Sequence, residues 1–202
     1  MNFSIPEKIA EGYNKIADEY EKSRSNIGLY YSEKFNDLLP QKSCRSILDI
    51  GCGTGIPLTK SLVSPINDIT GLDISFKMLD KAKVNVSNAR FILGNILDVR
   101  IERRFDGIFA WDSLFHIPLN NQADVVIKVI NLLNIDGIFL FTAGGKHSEL
   151  ISKMFNEEFY YSSLSSKEYE NIITNNGCEL VLNEIDDNSS KKHRVIICKK
   201  IK

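Results

Sequence analysis

The chain has 202 residues, of which 43% are hydrophobic and 25% charged, and its formal net charge at pH 7 is −1. Such values suit one soluble domain with a sizeable core, and they give no global field to attract a polyanion. There is no apolar run long enough to span a bilayer and no apolar stretch near Met1 resembling a secretory signal, so a cytoplasmic protein is expected. Cys44, Cys52, Cys178 and Cys198 form no CxxC pair and no zinc-spaced cluster with histidine, and are read as reduced thiols.

Ile5, Ile9, Tyr13, Ile16, Ala17 and Tyr20 recur at helical spacing and predict a first helix. A second runs from Leu29 to Leu39 and stops before Pro40. Short apolar runs then alternate with amphipathic ones. SILDI (46–50), DITGLDI (68–74), RFILG (90–94), FDGIFAW (105–111) and GIFLFT (137–142) predict strands. PLTKSLV, SFKMLDKAKVNV and NQADVVIKVINLL predict the helices between them, the second opened by Ser75 as N-cap. Such alternation implies a parallel sheet with helices on both faces, and buried parallel strands are continuously apolar, as these are. After a helix at 165–175, CELVLNEI and HRVIICKK are separated only by the polar stretch Asp186 to Lys192 and must pair as an antiparallel hairpin. The basic runs Lys191-Lys192-His193-Arg194 and Lys199-Lys200 are read as solvated flanks of the last strand. The expected fold is α/β, a Rossmann-like three-layer αβα sandwich around a mostly parallel seven-stranded sheet with an antiparallel C-terminal hairpin. One domain is expected over 1–202, with a helical cap (1–40), a cofactor-binding core (45–142) and a substrate-side region with the hairpin (143–202).

Three of the 12 glycines, Gly51, Gly53 and Gly55, stand together just after the first predicted strand. In open α/β sheets ligands sit beyond the carboxyl ends of the strands, and glycines there permit a sharp turn and close approach to the backbone. The next strand ends in Asp73, twenty-two positions after Gly51, close to the spacing at which a carboxylate meets a ribose diol. A nucleoside-containing ligand is therefore expected. A dinucleotide site wants a further phosphate-side glycine, and this chain has Pro57 in that region. Asp49 beside the loop would oppose a pyrophosphate and favour a cation. S-adenosylmethionine carries an ammonium, a sulphonium and no phosphate.

DIGCGTG, GLDIS, GNILDV, FDGIFAWDSLFHIP and LLNIDGIFLFT, in that order, resemble the successive motifs of class I S-adenosylmethionine-dependent methyltransferases over nearly the whole chain. The resemblance implies S-adenosyl-L-methionine as cofactor and S-adenosyl-L-homocysteine as product. It implies that Asp49, Gly51, Cys52, Gly53 and Gly55 hold the methionine end and Asp73 the ribose. Ile74 and Met78 would lie against the adenine, and Asn95 and Ile96 would read it. Ala110, Trp111 and Asp112 would end the fourth strand facing the transferred methyl. Tyr13, Tyr20 and Arg24 match the helix that closes over the cofactor, where Arg24 suits the cofactor carboxylate. Asn95 departs from the usual acidic residue, yet its amide both donates and accepts.

Methyl transfer from a sulphonium is an in-line displacement, so the tasks are alignment and water exclusion. A hydroxyl or amine acceptor would use a base, and Asp112, His116 and His147 are the candidates by position; a carboxylate acceptor would need none. The long region from Ala143 to Leu164, with His147, Tyr160 and Tyr161, is expected to wall an acceptor pocket. The acceptor expected is a small molecule, with neither nucleic acid nor membrane as partner, acted on by a monomer or homodimer with no metal. A catalytically silent binding module, an NAD-dependent oxidoreductase and a magnesium-dependent catechol-type enzyme stand as alternatives.

Overall fold

A computed structural model describes residues 4–24, 26–186 and 193–202, and the expected alternation runs through it. Helices α1 (Ile5–Lys22) and α2 (Leu29–Leu38) precede the sheet. Strands β1 (Arg45–Ile50), β2 (Asn67–Asp73), β3 (Arg90–Leu93), β4 (Phe105–Ala110) and β5 (Leu133–Ala143) alternate with α3 (Leu58–Ser61), α4 (Phe76–Asn85) and α5 (Gln122–Asn131). Next come β6 (Ser148–Met154), β7 (Glu157–Ser163), α6 (Ser166–Asn175), β8 (Cys178–Ile185) and β9 (Arg194–Lys200). The main sheet has seven strands in the order β3-β2-β1-β4-β5-β9-β8. β1 to β5 pair in parallel, and β9 runs antiparallel to both β5 and β8. The order reverses between β1 and β4, which opens a crevice above their carboxyl ends.

The continuous apolar strands are explained by burial on both faces. Ile108 and Ala110 of β4 and Phe139 and Phe141 of β5 face one core with Val125, Val129 and Ile130 of α5. The alternate residues, Phe109, Trp111, Ile138 and Leu140, face a second core with Tyr31 and Phe35 of α2. A third cluster joins Ile9 and Ile16 of α1 to Phe159 of β7. Ser4 and Ser165 open α1 and α6 with capping boxes, and Ser75 caps α4 as expected, accepting from Met78 N. No helix among the described residues is long and apolar enough to cross a membrane.

Several expectations are corrected. α3 is only four residues long. β5 begins four residues early, at Leu133, and its pairing with β4 shifts register between Phe105 and Gly107 while Asp136 turns to φ 65. The expected wall region at 143–164 holds an antiparallel pair, β6 and β7, closed by Phe155 and Asn156 at φ 49 and 67. Lys200 is no solvated flank: it is buried and its Nζ donates to the Asn176 carbonyl at 2.9 Å, at the end of α6. Lys191 and Lys192 lie outside the described residues.

Candidate active site

The Gly51–Gly55 loop crosses the crevice above β1. Gly51, Gly53 and Gly55 take φ 71, 55 and 79, the left-handed region that favours glycine. A Cβ on Gly51 would collide with the Ser113 side chain, whose Oγ donates to the Ile50 carbonyl at 2.7 Å. The backbone N–H groups of Gly51 and Cys52 donate to the Leu72 carbonyl at 2.7 and 3.1 Å. Asp73 completes the brace: its Oδ2 accepts from Gly53 N and its Oδ1 from Ser75 N, both at 2.8 Å. A carboxylate offers about four acceptor positions, so Asp73 keeps capacity beyond these two. Burial pushes its carboxyl up to about 6 against the backbone N–H groups that favour the ion. Asp49, buried on β1, accepts from Thr59 Oγ1 at 2.6 Å, and burial pushes it up to about 7.

Two chambers meet at Tyr20, Gly51 and Gly53. The larger, about 710 Å³ including its mouth, is lined on one side by Asp73, Ile74, Met78, Asn95 and Ile96. Tyr13 covers it from α1, and Asp112 and His116 close the side beyond β4. The Asn95 side-chain carbonyl accepts from Leu97 N at 3.0 Å, so one of its acceptor positions already serves the local turn. The smaller chamber, about 340 Å³, is lined by Arg24, Asp49, Cys52, Thr54 and Trp111 among others. The Arg24 guanidinium lies 5.1 Å over the Tyr20 ring and pairs with Asp112 at 2.9 Å. Trp111 Nε1 and Thr54 Oγ1 are buried there without a hydrogen-bond partner. The residues around the smaller chamber thus bring together a cation, a carboxyl and two buried polar groups without a partner.

α1 sits over both chambers and is fastened at two sides. Asn14 Oδ1 accepts from Ser75 Oγ at 2.7 Å and from Lys77 N at 3.2 Å. Lys81 of α4 pairs with Asp18 and Glu21 of α1 at 2.7 and 3.0 Å. On the other side Tyr13 meets Phe159 at 4.8 Å and its hydroxyl lies 2.8 Å from His116 Nε2. His116 Nδ1 lies 2.7 Å from the Tyr160 carbonyl, which only accepts, so the ring proton belongs on Nδ1 and Nε2 accepts from Tyr13.

The sequence-predicted residues do not all converge. Tyr13, Tyr20, Arg24, Asp49, Gly51, Cys52, Gly53, Asp73, Ile74, Met78, Asn95, Ile96, Trp111, Asp112 and His116 line one chamber or the other. Ala110 is buried in the core beneath, and Gly55 packs against Ala82 and Val86. His147 is exposed and pairs with Glu168 at 3.0 Å, away from both chambers. Tyr160 also points elsewhere, its hydroxyl donating to Glu149 at 2.7 Å and accepting from Leu119 N at 3.1 Å. The hairpin of β6 and β7 forms a sheet of its own: Tyr160 is carried on β7, His147 lies in the bend just before β6, and no residue of 143–164 lines either chamber. Tyr161 stands behind the chamber wall, 4.8 Å from His116.

Sequence reasoning missed Thr54, Thr59 and a buried charge line. Thr54 lies inside the glycine loop and Thr59 just after it, so both were legible as hydroxyls close in sequence to Asp49. The charge line was not. Asp112, at φ 52, joins Arg24 on one oxygen and His193 Nδ1 on the other at 3.2 Å, and His193 Nε2 lies 3.4 Å from Asp186. All four residues are buried.

With this geometry in hand, similarity to known proteins has a physical meaning. Residues 41–197 match the family described as methyltransferase domain. Over 166 residues the chain is 28% identical to a malonyl-[acyl-carrier protein] O-methyltransferase of Bacillus cereus, covering 81% of this chain and 57% of that protein. It is 28% identical to trans-aconitate 2-methyltransferase of an Enterobacter species, covering 66% and 56%. The chain therefore spans little more than half the length of these curated relatives. An S-adenosylmethionine-dependent methyltransferase structure from Clostridium acetobutylicum superposes with TM-score 0.70 at 19% identity, covering 94% of this chain and 99% of that one. A β1-to-β5 sheet with its crevice, a braced glycine loop and a match across 41–197 lead to one conclusion: the chain belongs to the class I S-adenosylmethionine-dependent methyltransferase family.

Proposed function

We propose that this chain binds S-adenosyl-L-methionine across the two chambers and transfers its methyl group to a small molecule. The observation that carries this is the smaller chamber. Arg24, Trp111 Nε1 and Thr54 Oγ1 are donors suited to a carboxylate, and Asp49 is an acceptor suited to an ammonium, as an amino acid end requires. Asp73 takes the ribose diol, with Ile74, Met78, Asn95 and Ile96 around the adenine. The bound cofactor supplies a methyl group on a cationic sulphur, already activated for displacement. The protein's share is to hold reactants in line and exclude water, which α1 does by covering the chambers. The net charge of −1 supports a small-molecule acceptor over nucleic acid, and a cytoplasmic monomer or homodimer is the form proposed.

The raised carboxyls make binding depend on pH. Asp49 must be ionised to meet an ammonium, and its proton leaves only near pH 7. Between pH 8 and pH 6 affinity for S-adenosylmethionine should fall by about tenfold, and further as Asp73 protonates near 6. The sign for stability is opposite. A carboxyl raised on folding stabilises the ligand-free fold fully below its unfolded value of 3.8, and that contribution is lost as pH rises through about 7. The melting-temperature increase caused by S-adenosylhomocysteine should therefore grow from pH 6 to pH 8, and in Asp49→Asn it should stay flat above pH 7. An unchanged slope in Asp49→Asn would count against the ammonium role.

A further inference from the structure

We propose that the acceptor is a protic nucleophile, an amine or a hydroxyl, whose proton leaves through Tyr13 to His116. This rests on the methyl-transfer reading above and narrows it to a substrate class. Two independent observations support it, one from hydrogen bonding and one from charge.

The first is the line from Tyr13 to Tyr160. The Tyr160 carbonyl fixes the His116 proton on Nδ1 and leaves Nε2 as the basic atom, 2.8 Å from the Tyr13 hydroxyl. Tyr13 faces the larger chamber, at the side where Asp112 and His116 also stand. Burial and the negative groups around it push the Tyr13 phenol well above its ordinary value, so it does not ionise alone. It can pass a proton on as it receives one. The acceptor lone pair forms its bond to the methyl carbon while the carbon–sulphur electron pair goes to sulphur. The acceptor's N–H or O–H proton goes to the Tyr13 oxygen, and the Tyr13 proton goes to His116 Nε2. The positive charge then on the imidazole faces the Tyr160 carbonyl and shares its chamber with Asp112. A carboxylate acceptor has no proton to give, and this line would do nothing for it.

The second is the charge of the wall. No lysine or arginine lines the larger chamber among the described residues, whereas Asp73 and Asp112 do. Arg24 stands in the smaller chamber and is held by Asp112. A carboxylate brought to the His116 side would be buried near Asp112, whose charge Arg24 already meets, with no cation of its own, which is costly. Ile9, Leu114 and Ile117 line the same chamber as His116, so an acceptor with an apolar body fits this side.

The test compares benzylamine, phenol and benzoate. Ligand-observed NMR on the S-adenosylhomocysteine-loaded protein should show the amine or the phenol binding about tenfold or more tightly than benzoate. Equal or tighter benzoate binding, or no binding by either protic probe at millimolar concentration, overturns the proposal. With the better protic probe and labelled S-adenosylmethionine, Tyr13→Phe should lower kcat by about 10² while affinity for S-adenosylhomocysteine stays within about threefold. His116→Gln should lower kcat to a similar extent, with S-adenosylhomocysteine affinity likewise kept within about threefold. The titratable groups around His116 are Tyr13 of α1, Tyr160 and Tyr161 of β7, and Asp112 at the end of β4, and none of them changes in that variant. If Tyr13 and His116 only fasten α1 to β7, both variants would weaken cofactor affinity instead of lowering kcat at saturating cofactor. Protic probes that bind without being methylated also contradict the relay. Failure of S-adenosylhomocysteine to bind would instead sink the parent reading and this proposal with it, whereas S-adenosylhomocysteine binding with benzoate equal to the protic probes would sink this one alone.

Discussion

Asp73→Ala is expected to weaken S-adenosylmethionine binding by roughly two to four orders of magnitude. Two charge-assisted hydrogen bonds to a ribose diol are worth about 1.5–3 kcal/mol each, and tenfold in affinity is about 1.4 kcal/mol. The loss extends beyond direct contacts. Asp73 also holds Gly53 N and Ser75 N at 2.8 Å, so the glycine loop and the start of α4 lose their common brace. Asp73→Asn separates the two contributions, because one amide oxygen remains to accept. It should retain part of the affinity and most of the fold. Isothermal calorimetry with circular dichroism on the same samples checks this, and a loss below about tenfold in Asp73→Ala would contradict the assignment.

Asp112→Ala should be the most destabilising change in the site. It strips the buried Arg24 guanidinium of its carboxylate at 2.9 Å and leaves His193 facing only Asp186. Breaking a buried pair by removing one partner costs about 3–5 kcal/mol, because the other charge stays buried. In a chain this size that lowers Tm by roughly 6–20 °C. Alanine also tolerates the φ of 52 less well than aspartate does. The double variant Arg24→Met/Asp112→Asn should lose clearly less than the sum of its single changes, since the buried charge goes with its partner. Thermal unfolding of all four proteins measures this coupling, and simple additivity would mean the pair contributes nothing.

Much of this was legible in the chain because its signals are local. An apolar run ending in Gly51 to Gly55, then another ending in Asp73, specifies strand, loop and strand within thirty residues, and the sheet follows from repetition of that unit. What was not legible lacked a local signal. Ser148–Met154 is exposed along nearly its whole length, so no alternation marks β6, and its turn uses Phe155-Asn156 where such turns usually advertise themselves with glycine. His147 and Tyr160 were assigned to the pocket for want of that hairpin. The line Arg24, Asp112, His193 and Asp186 draws on α1's end, β4's end and the β8–β9 hairpin. Residues so far apart in sequence are joined only by the strand order that sets β9 beside β5. His116 was found by position, but its hydrogen bonds to Tyr13 and to the Tyr160 carbonyl came only with the packing of α1 and β7 on one another.

Calorimetric titration of the purified wild-type protein at pH 8 with S-adenosylmethionine, S-adenosylhomocysteine and NAD tests the central claim most directly. Micromolar binding of both sulphur nucleosides with no heat from NAD is the predicted result. Binding of NAD alone, or of none of the three, would contradict it.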